Sequence, residues 1–463
     1  GSMVWSQNDI GGYEGKYLKQ EIAELKEGQK AGPPLTIALP DRLGFAAITE
    51  AGLTDFAGMS LIAGGNRSYK AYLTGNTLKT GKVITPWRVI EVGKDLNTLV
   101  NCDIIANVSP KPDATLFPKG FVTDWIKPGM SVWSWLAGNG DVTFENMKKF
   151  SVWAGQLGIP YNLVDEGWSG WKDEGKDKWQ LIRELVDYSA QQKVKIWVWK
   201  AYPDHNGIAG LKDPAERQRF FKQCRDAGVA GVKIDFFDEE SQQVIDFYQA
   251  ALKDAAKMHL MLDFHGANKP TGESRTWPNE MSREGIRGLE NTTSWPAHNT
   301  TLPFTRYLAG HADYTPLSFG PLVKGTTVTH QVATVAAFTS EFMCLAVNPE
   351  ELISHPAKDF ILSIPVVWDE TVILPQSEIG EIAVIARRSG KTWFLAVLNG
   401  EQQRSVKINL SFLGKGIYNS VTMEDDPADP KKFLLKKTQA VHTQALDINL
   451  AEGGGYISRF TLK

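Results

Sequence analysis

Asp165, Lys200 and Asp235 each close an apolar, strand-like run, and they lie 35 residues apart (positions 165, 200 and 235). The runs are YNLVDEGW, KVKIWVWK and GVKIDFF, and the gaps between them hold mostly helix-like sequence. Two further runs carry polar residues at their ends: His265 in LMLDFHG and Glu290 at the close of REGIRGLE. That spacing is the period of βα units. A chain that repeats it buries its strands in a parallel sheet with helices outside, and a (β/α)₈ barrel is the closed form of that arrangement. Such barrels build their sites from polar groups at the C-terminal ends of successive strands.

The pattern predicts a barrel over residues 123–370. MSVWSWL, from Met130, reads as the first strand, and TFENMKKFSVWAGQLG reads as an amphipathic helix ending at Gly158. DPAERQRFFKQCRDAG starts on an Asp-Pro cap and ends at Gly228. EESQQVIDFYQAALKDAAK supplies the next crossover helix, and GANKPTGESRTWPNEMSR then reads as a long polar loop. Strands seven and eight are expected near DYTPLSF and ILSIPVVW, separated by a helix over HQVATVAAFTSEFMCLAV.

Residues 1–122 carry short β segments split by Gly, Asn and Pro: LTIALP, GMSLIA, KAYLTG, KVITPWRVIEV and NTLVNCDIIANV. One helix-like stretch, Lys16 to Glu27, precedes them, and a Pro-rich linker is expected near 107–120. This region reads as sheet or sandwich material. Residues 371–463 alternate with hairpin-type turns and predict an antiparallel β-sandwich.

A length of 463 residues calls for two or three domains, and a formal net charge of −3 argues against a nucleic-acid or membrane-surface partner. No apolar run is long enough for membrane insertion, and no signal peptide opens the chain; Gly1, Ser2 and Met3 read as an expression remnant. Cys102, Cys224 and Cys344 are too few and too dispersed for a disulfide framework or a zinc site. Fifteen Trp is the compositional outlier. Indole rings stack on sugars, and they also fill large cores.

Asp235 and Glu290, two carboxylates facing one barrel mouth, point to glycoside hydrolysis. Asp235 is a candidate nucleophile; its plainer role is to cap the following helix or pair with Lys233. Asp238, Glu239 and Glu240 read as acids at a helix N-terminus. Period-two geometry places Glu284 and Glu290 on one face of a strand, where they repel unless one is protonated or a cation lies between them. Ca²⁺ with oxygen ligands would resolve that conflict, and a surface Glu284 paired with Arg283 or Arg287 is the alternative. His265 either holds a substrate hydroxyl or is a structural histidine. Lys200 and Lys233 are candidate donors to sugar hydroxyls, or solvated lysines. His311 and Asp313 are too ordinary a spacing to count as a metal motif.

VKIDFFD followed by FHGANKPTGESRTWPNEMSREGIRGLE resembles glycoside hydrolase family 97, calcium-dependent α-glycosidases. GGYEGKY, around Glu14, resembles the loop by which that family's N-terminal domain delivers a carboxylate to the barrel. The resemblance implies a (β/α)₈ TIM barrel between an N-terminal β-super-sandwich and a C-terminal β-domain. It implies a periplasmic or secreted setting and an oligosaccharide or glycoside substrate, and leaves the oligomeric state open. The family's N-terminal domain is larger than the roughly 120 residues found here, so the chain is expected to begin inside it.

Two mechanistic branches exist in that family. The inverting branch carries a glutamate directly after the histidine that follows strand five, where this chain has Gly266 after His265. It has no carboxylate at the strand-four position, which here is Asp235. The resemblance therefore implies the retaining branch, which includes α-galactosidases. It implies Asp235 as nucleophile and Glu290 as general acid/base, and places Glu14, Glu284 and Glu290 around calcium. Lys233 and His265 match sugar-subsite positions, and Asp165 and Lys200, at the preceding strand ends, join them as candidate substrate contacts. An α-glucosidase, a β-L-arabinopyranosidase and a non-catalytic carbohydrate-binding protein on a decayed barrel are the rival readings.

Overall fold

The computed structural model describes residues 2–463 except 78–79, 138–139, 174 and 292–293. The first sheet is antiparallel. Strands β1 (Met3–Gln7), β2 (Leu18–Glu21), β3 (Lys30–Ala38), β4 (Phe45–Ala51) and β7 (Trp87–Gly93) follow the order β2-β1-β3-β4-β7. Strands β5 (Met59–Ala63) and β6 (Tyr69–Leu73) branch from β3. The helix expected over Lys16–Glu27 is instead β2 and one 3₁₀ turn. The strand expected at NTLVNCDIIANV is two short helices, α1 (Leu96–Val100) and α2 (Ile104–Val108). Asp95 starts α1 by accepting from the Thr98 amide at 2.7 Å, and this cap outweighs the β-branched residues that follow.

The central sheet is parallel and nearly closed. Its strands are β8 (Gly129–Trp133), β9 (Tyr161–Val164), β10 (Lys195–Ala201), β11 (Gly231–Asp235), β12 (Met261–Phe264), β13 (Glu280–Arg283) and β14 (Phe342–Leu345). They run in the order β13-β12-β11-β10-β9-β8-β14. Segment 311–316 fills the gap between β13 and β14. The Asp313 amide donates to the Arg283 carbonyl at 3.2 Å, and the Ala312 amide to the Thr339 carbonyl at 3.0 Å. This is where the seventh strand was expected, but Thr315 (φ 53°) and Leu317 (φ 70°) take left-handed backbone, so no regular strand forms.

Two other expectations shift. The last strand is Phe342–Leu345, inside the stretch read as a helix, which stops at Ala337. ILSIPVVW instead follows the short helix Lys358–Ile361. Continuous apolar runs look alike as buried helix or buried strand, which is how the two were exchanged. REGIRGLE is not a strand either. The sixth strand is Glu280–Arg283, hidden in the run read as a polar loop because its charged side chains pair with each other between the sheet and its helices, where Arg283 packs on Tyr248 and Phe264. Arg283 Nε meets Glu280 Oε1 at 2.8 Å.

Alternation sets the barrel's layers. On β10, Ile196 and Val198 face the helices, while Trp197 fills the interior and stacks on Phe342 with ring centroids 3.7 Å apart. Gly231 makes room for that indole, since a Cβ there would lie 2.5 Å from Trp197. The crossover helices fall where their capping residues place them: Phe144–Leu157 from Thr143 to Gly158, and Pro214–Ala227 from Asp213 to Gly228.

A six-stranded antiparallel sheet ends the chain, faced by a two-stranded one. Ile382, Val384 and Ala386 point into the space between these two sheets. Their neighbours Ala383 and Ile385 pack on the barrel side. The first sheet is locked to the barrel by a buried polar knot. Lys269 Nζ contacts Glu50 Oε1 at 2.6 Å and Glu240 Oε2 at 2.5 Å, and Tyr13 donates its hydroxyl to Glu240 Oε1 at 2.8 Å. Glu240 is thus not an exposed helix-start acid; helix Gln242–Lys257 begins after Ser241. Breaking one member of such a knot strands a buried charge.

Candidate active site

The C-terminal ends of β9 to β13 meet a loop from the first sheet around one cavity of about 300 Å³. Seven of the eight candidate residues line it: Asp235, Glu290, Asp165, Lys233, His265, Glu14 and Glu284. Lys200 does not. In the strand register it lies beside Ile234, while its neighbours Trp199 and Ala201 lie beside the inward Lys233 and Asp235. Strand parity therefore sends Lys200 outward to the helix layer, where its ammonium sits 5.8 Å from the Phe220 ring.

Asp235 is held at both oxygens. Trp199 Nε1 donates to Oδ2 at 2.9 Å, and the Phe236 amide donates to Oδ1 at 2.8 Å. The second bond depends on Phe236 taking a left-handed conformation (φ 70°), a costly geometry for a bulky residue. Lys233 lies 3.9 Å from Asp235 Oδ2 and 3.1 Å from Asp165 Oδ2, which also accepts from Trp133 Nε1 at 2.5 Å. Burial pulls the Lys233 ammonium down, but the carboxylates of Asp165, Glu290 and Asp235 outweigh it and hold it well above its ordinary value. It stays charged, 4.5 Å above the Trp133 ring.

Across the cavity, Glu284 Oε2 accepts from the Gly266 amide at 2.7 Å and faces His265 Nδ1 at 3.3 Å. Burial pushes the Glu284 and Glu290 carboxyls up. For Glu290, Lys233 and His265 oppose that rise while Asp235 adds to it. Glu14 arrives on the loop anchored by Tyr13. Its amide donates to Asp9 Oδ2 at 2.9 Å, and its Oε2 accepts from Asn291 Nδ2 at 3.0 Å.

This donor set fits a hard cation. Ligand atoms of His265, Glu284 and Glu290 lie within 4.8 Å of one another, and the Glu14 charge is close enough to raise Glu284 further. Glu290 Oε1 is sealed from solvent and has no hydrogen-bond partner among the described residues. Several carboxylates converging with an unpaired oxygen among them are what oxygen-seeking cations bind.

Sequence reasoning misses a layer beneath. Asp313 Oδ2 meets His265 Nε2 at 2.8 Å, and Asp263 Oδ2 lies 3.5 Å from the same nitrogen. Asp263 precedes His265 by two residues, so period-two parity could have flagged it. Asp313 carries no such signal, because it comes from the irregular closing segment. Asp238, read as a helix-start acid, lines the cavity instead, and burial raises its carboxyl.

The arrangement pairs a carboxylate held by two donors with one whose carboxyl burial raises. Models described as "Glycosyl-hydrolase 97 N-terminal", "Glycoside hydrolase 97" and "Glycosyl-hydrolase 97 C-terminal, oligomerisation" match residues 1–110, 125–286 and 367–461. A probable retaining alpha-galactosidase of Streptomyces bingchenggensis (strain BCW-1) is 34% identical over 359 residues, 75% of this chain. A retaining alpha-galactosidase of Bacteroides thetaiotaomicron is 28% identical over 96% of this chain. The chain spans 54% of the first relative's length and 73% of the second's. The solved structure of a glycoside hydrolase family 97 enzyme from Pseudoalteromonas sp. strain K8, in complex with acarbose, superposes over 100% of this chain and 79% of that one. The TM-score is 0.87 at 25% identity.

Proposed function

This chain belongs to glycoside hydrolase family 97, and on that premise we propose that it is a retaining, exo-acting α-glycosidase, an α-galactosidase first of all. One observation carries the retaining assignment: Asp235 and Glu290 line one cavity, and the residue after His265 carries no carboxylate. That position is Gly266 (φ 53°), where a Cβ would lie 3.1 Å from Asp238 Oδ1. The names of the two curated relatives support the galactoside.

In this reading Glu290 gives its proton to the glycosidic oxygen as the bond from C1 to that oxygen breaks. An Asp235 oxygen forms the new bond to C1. Water then attacks C1, losing a proton to Glu290, and Asp235 leaves with its negative charge restored. Lys233 and the Trp199 indole hold Asp235 in position. Burial leaves the Glu290 carboxyl protonated to a higher pH than an exposed one, as the acid step requires. Proton NMR during hydrolysis of p-nitrophenyl α-galactoside should show α-galactose first and the β-anomer only by mutarotation. Initial β-anomer would overturn the assignment of Asp235. Faster turnover of the α-glucoside or β-L-arabinopyranoside would move the substrate to that sugar.

Glu14, Glu284 and Glu290 would hold the cation, which we assign as Ca²⁺; when bound it supplies positive charge to the site and orients sugar hydroxyls. A chelator should lower activity at least tenfold and calcium should restore it. Glu14→Gln should raise the calcium concentration needed for half-restoration. Full activity after exhaustive chelation would remove the cation from the reading.

A further inference from the structure

The catalytic cavity does not end at Trp199. Glu166 and Trp199 also line a second cavity of about 230 Å³. That cavity shares Trp168, Ser169, Lys200 and Ile208 with a third, of about 370 Å³, which Trp179 and Arg219 border. The three form a row across the barrel rim, from the ends of β9 and β10 to helices Lys178–Gln191 and Pro214–Ala227. Each of the outer two is comparable in volume to the first.

The polar groups along this row are placed for a ligand. Lys200 is 8% exposed, lines both outer cavities, and has no hydrogen-bond or ion-pair partner among the described residues. Its ammonium, 5.8 Å from the Phe220 ring, opens onto these cavities and offers its donors there to a ligand hydroxyl. At the junction with the catalytic cavity, Glu166 Oε1 is fixed by His205 Nε2 at 2.8 Å and by Asn206 Nδ2 at 2.9 Å. Both come from the loop after β10. Indole rings flank the row throughout, with Trp199 beside the nucleophile and Trp168 against Trp179 at 5.2 Å between centroids. Aromatic walls with a few convergent hydrogen-bonding groups suit sugar rings, whose faces are apolar and whose rims carry hydroxyls.

We propose that this row is the leaving-group side of the substrate site, and that the enzyme acts on neutral α-linked oligosaccharides with two sugars beyond the scissile bond. The second cavity takes the first of these against Lys200, and the third takes the next beside Trp179. The direction follows from exo action, which we proposed above and on which this inference rests: with one sugar closed in the catalytic cavity, all others lie on the leaving side.

The test compares α-galactosyl fluoride, whose leaving group is one atom, with raffinose, whose leaving group is a disaccharide. Lys200→Met keeps the chain length and removes the charge. It should lower the ratio of kcat/KM for raffinose to that for the fluoride about tenfold, the scale of one charge-assisted hydrogen bond, mainly through KM. Asn206→Ala, on the exposed loop, should lower the same ratio and gives an independent reading should the lysine variant fail to fold. An unchanged ratio in Asn206→Ala and in folded Lys200→Met would overturn the proposal. No hydrolysis of the fluoride by the wild-type protein would instead overturn the glycosidase reading itself.

Discussion

Replacing Asp235 with Gly is expected to lower kcat/KM for any α-galactoside by roughly 10⁴-fold or more, the scale seen when a covalent nucleophile is removed. The loss should not come from unfolding. Asp235 is the last residue of β11 and its side chain packs into the cavity, not the core, so its removal leaves the aromatic layer of Trp197 and Phe342 in place. The deletion also opens a space lined by donors, the Trp199 indole and the Phe236 amide, which now lack their acceptor. A small anion should enter it. With azide and an activated aryl α-galactoside, the variant should regain turnover and release β-galactosyl azide, because the azide attacks from the face Asp235 occupied. An α-configured azide, or near-wild-type activity without azide, would remove Asp235 as nucleophile.

Much of this site is legible in the amino-acid sequence, for a reason confined to strands. Residues at strand ends inherit their direction from parity, so Asp165, Lys233, Asp235 and His265 can be aimed at one point from spacing alone. Lys200 shows the limit of reading ends without counting faces. It closes KVKIWVWK as visibly as Asp165 closes its own run, yet the inward positions of β10 are Trp197 and Trp199. Glu284 and Glu290 reach the cavity by a different route from the expected one. They follow β13 in a turn, so no strand periodicity relates them. Asp238 and Asp313 escape sequence reasoning because irregular backbone positions them: Asp238 itself has φ 50°, and Asp313 sits in the closing segment. Glu14 and Tyr13 lie outside the barrel altogether, and only the knot of Glu240, Lys269 and Glu50 explains why their loop arrives where it does.

Glu290 carries the second large effect, and its variants separate two roles that share one side chain. As general acid it matters in proportion to how badly the leaving group needs a proton. Glu290→Ala should therefore slow melibiose hydrolysis by about 10³-fold, within the usual range for acid–base catalysis. It should slow the first step for 2,4-dinitrophenyl α-galactoside far less, since that phenolate departs unprotonated. The glycosyl-enzyme then accumulates, because no base remains to activate water. Azide, which needs no base, should release it as α-galactosyl azide, the opposite anomer from the one produced by Asp235→Gly. A cation-holding role alone predicts otherwise: losses equal for good and poor leaving groups, reversed by raising calcium, with no azide product. The burial that raises the Glu290 carboxyl, and an Oε1 with no hydrogen-bond partner among the described residues, are why both the proton and the cation are proposed for this one group. The pair of azide anomers from the two variants thus assigns each carboxylate to its own face of the sugar.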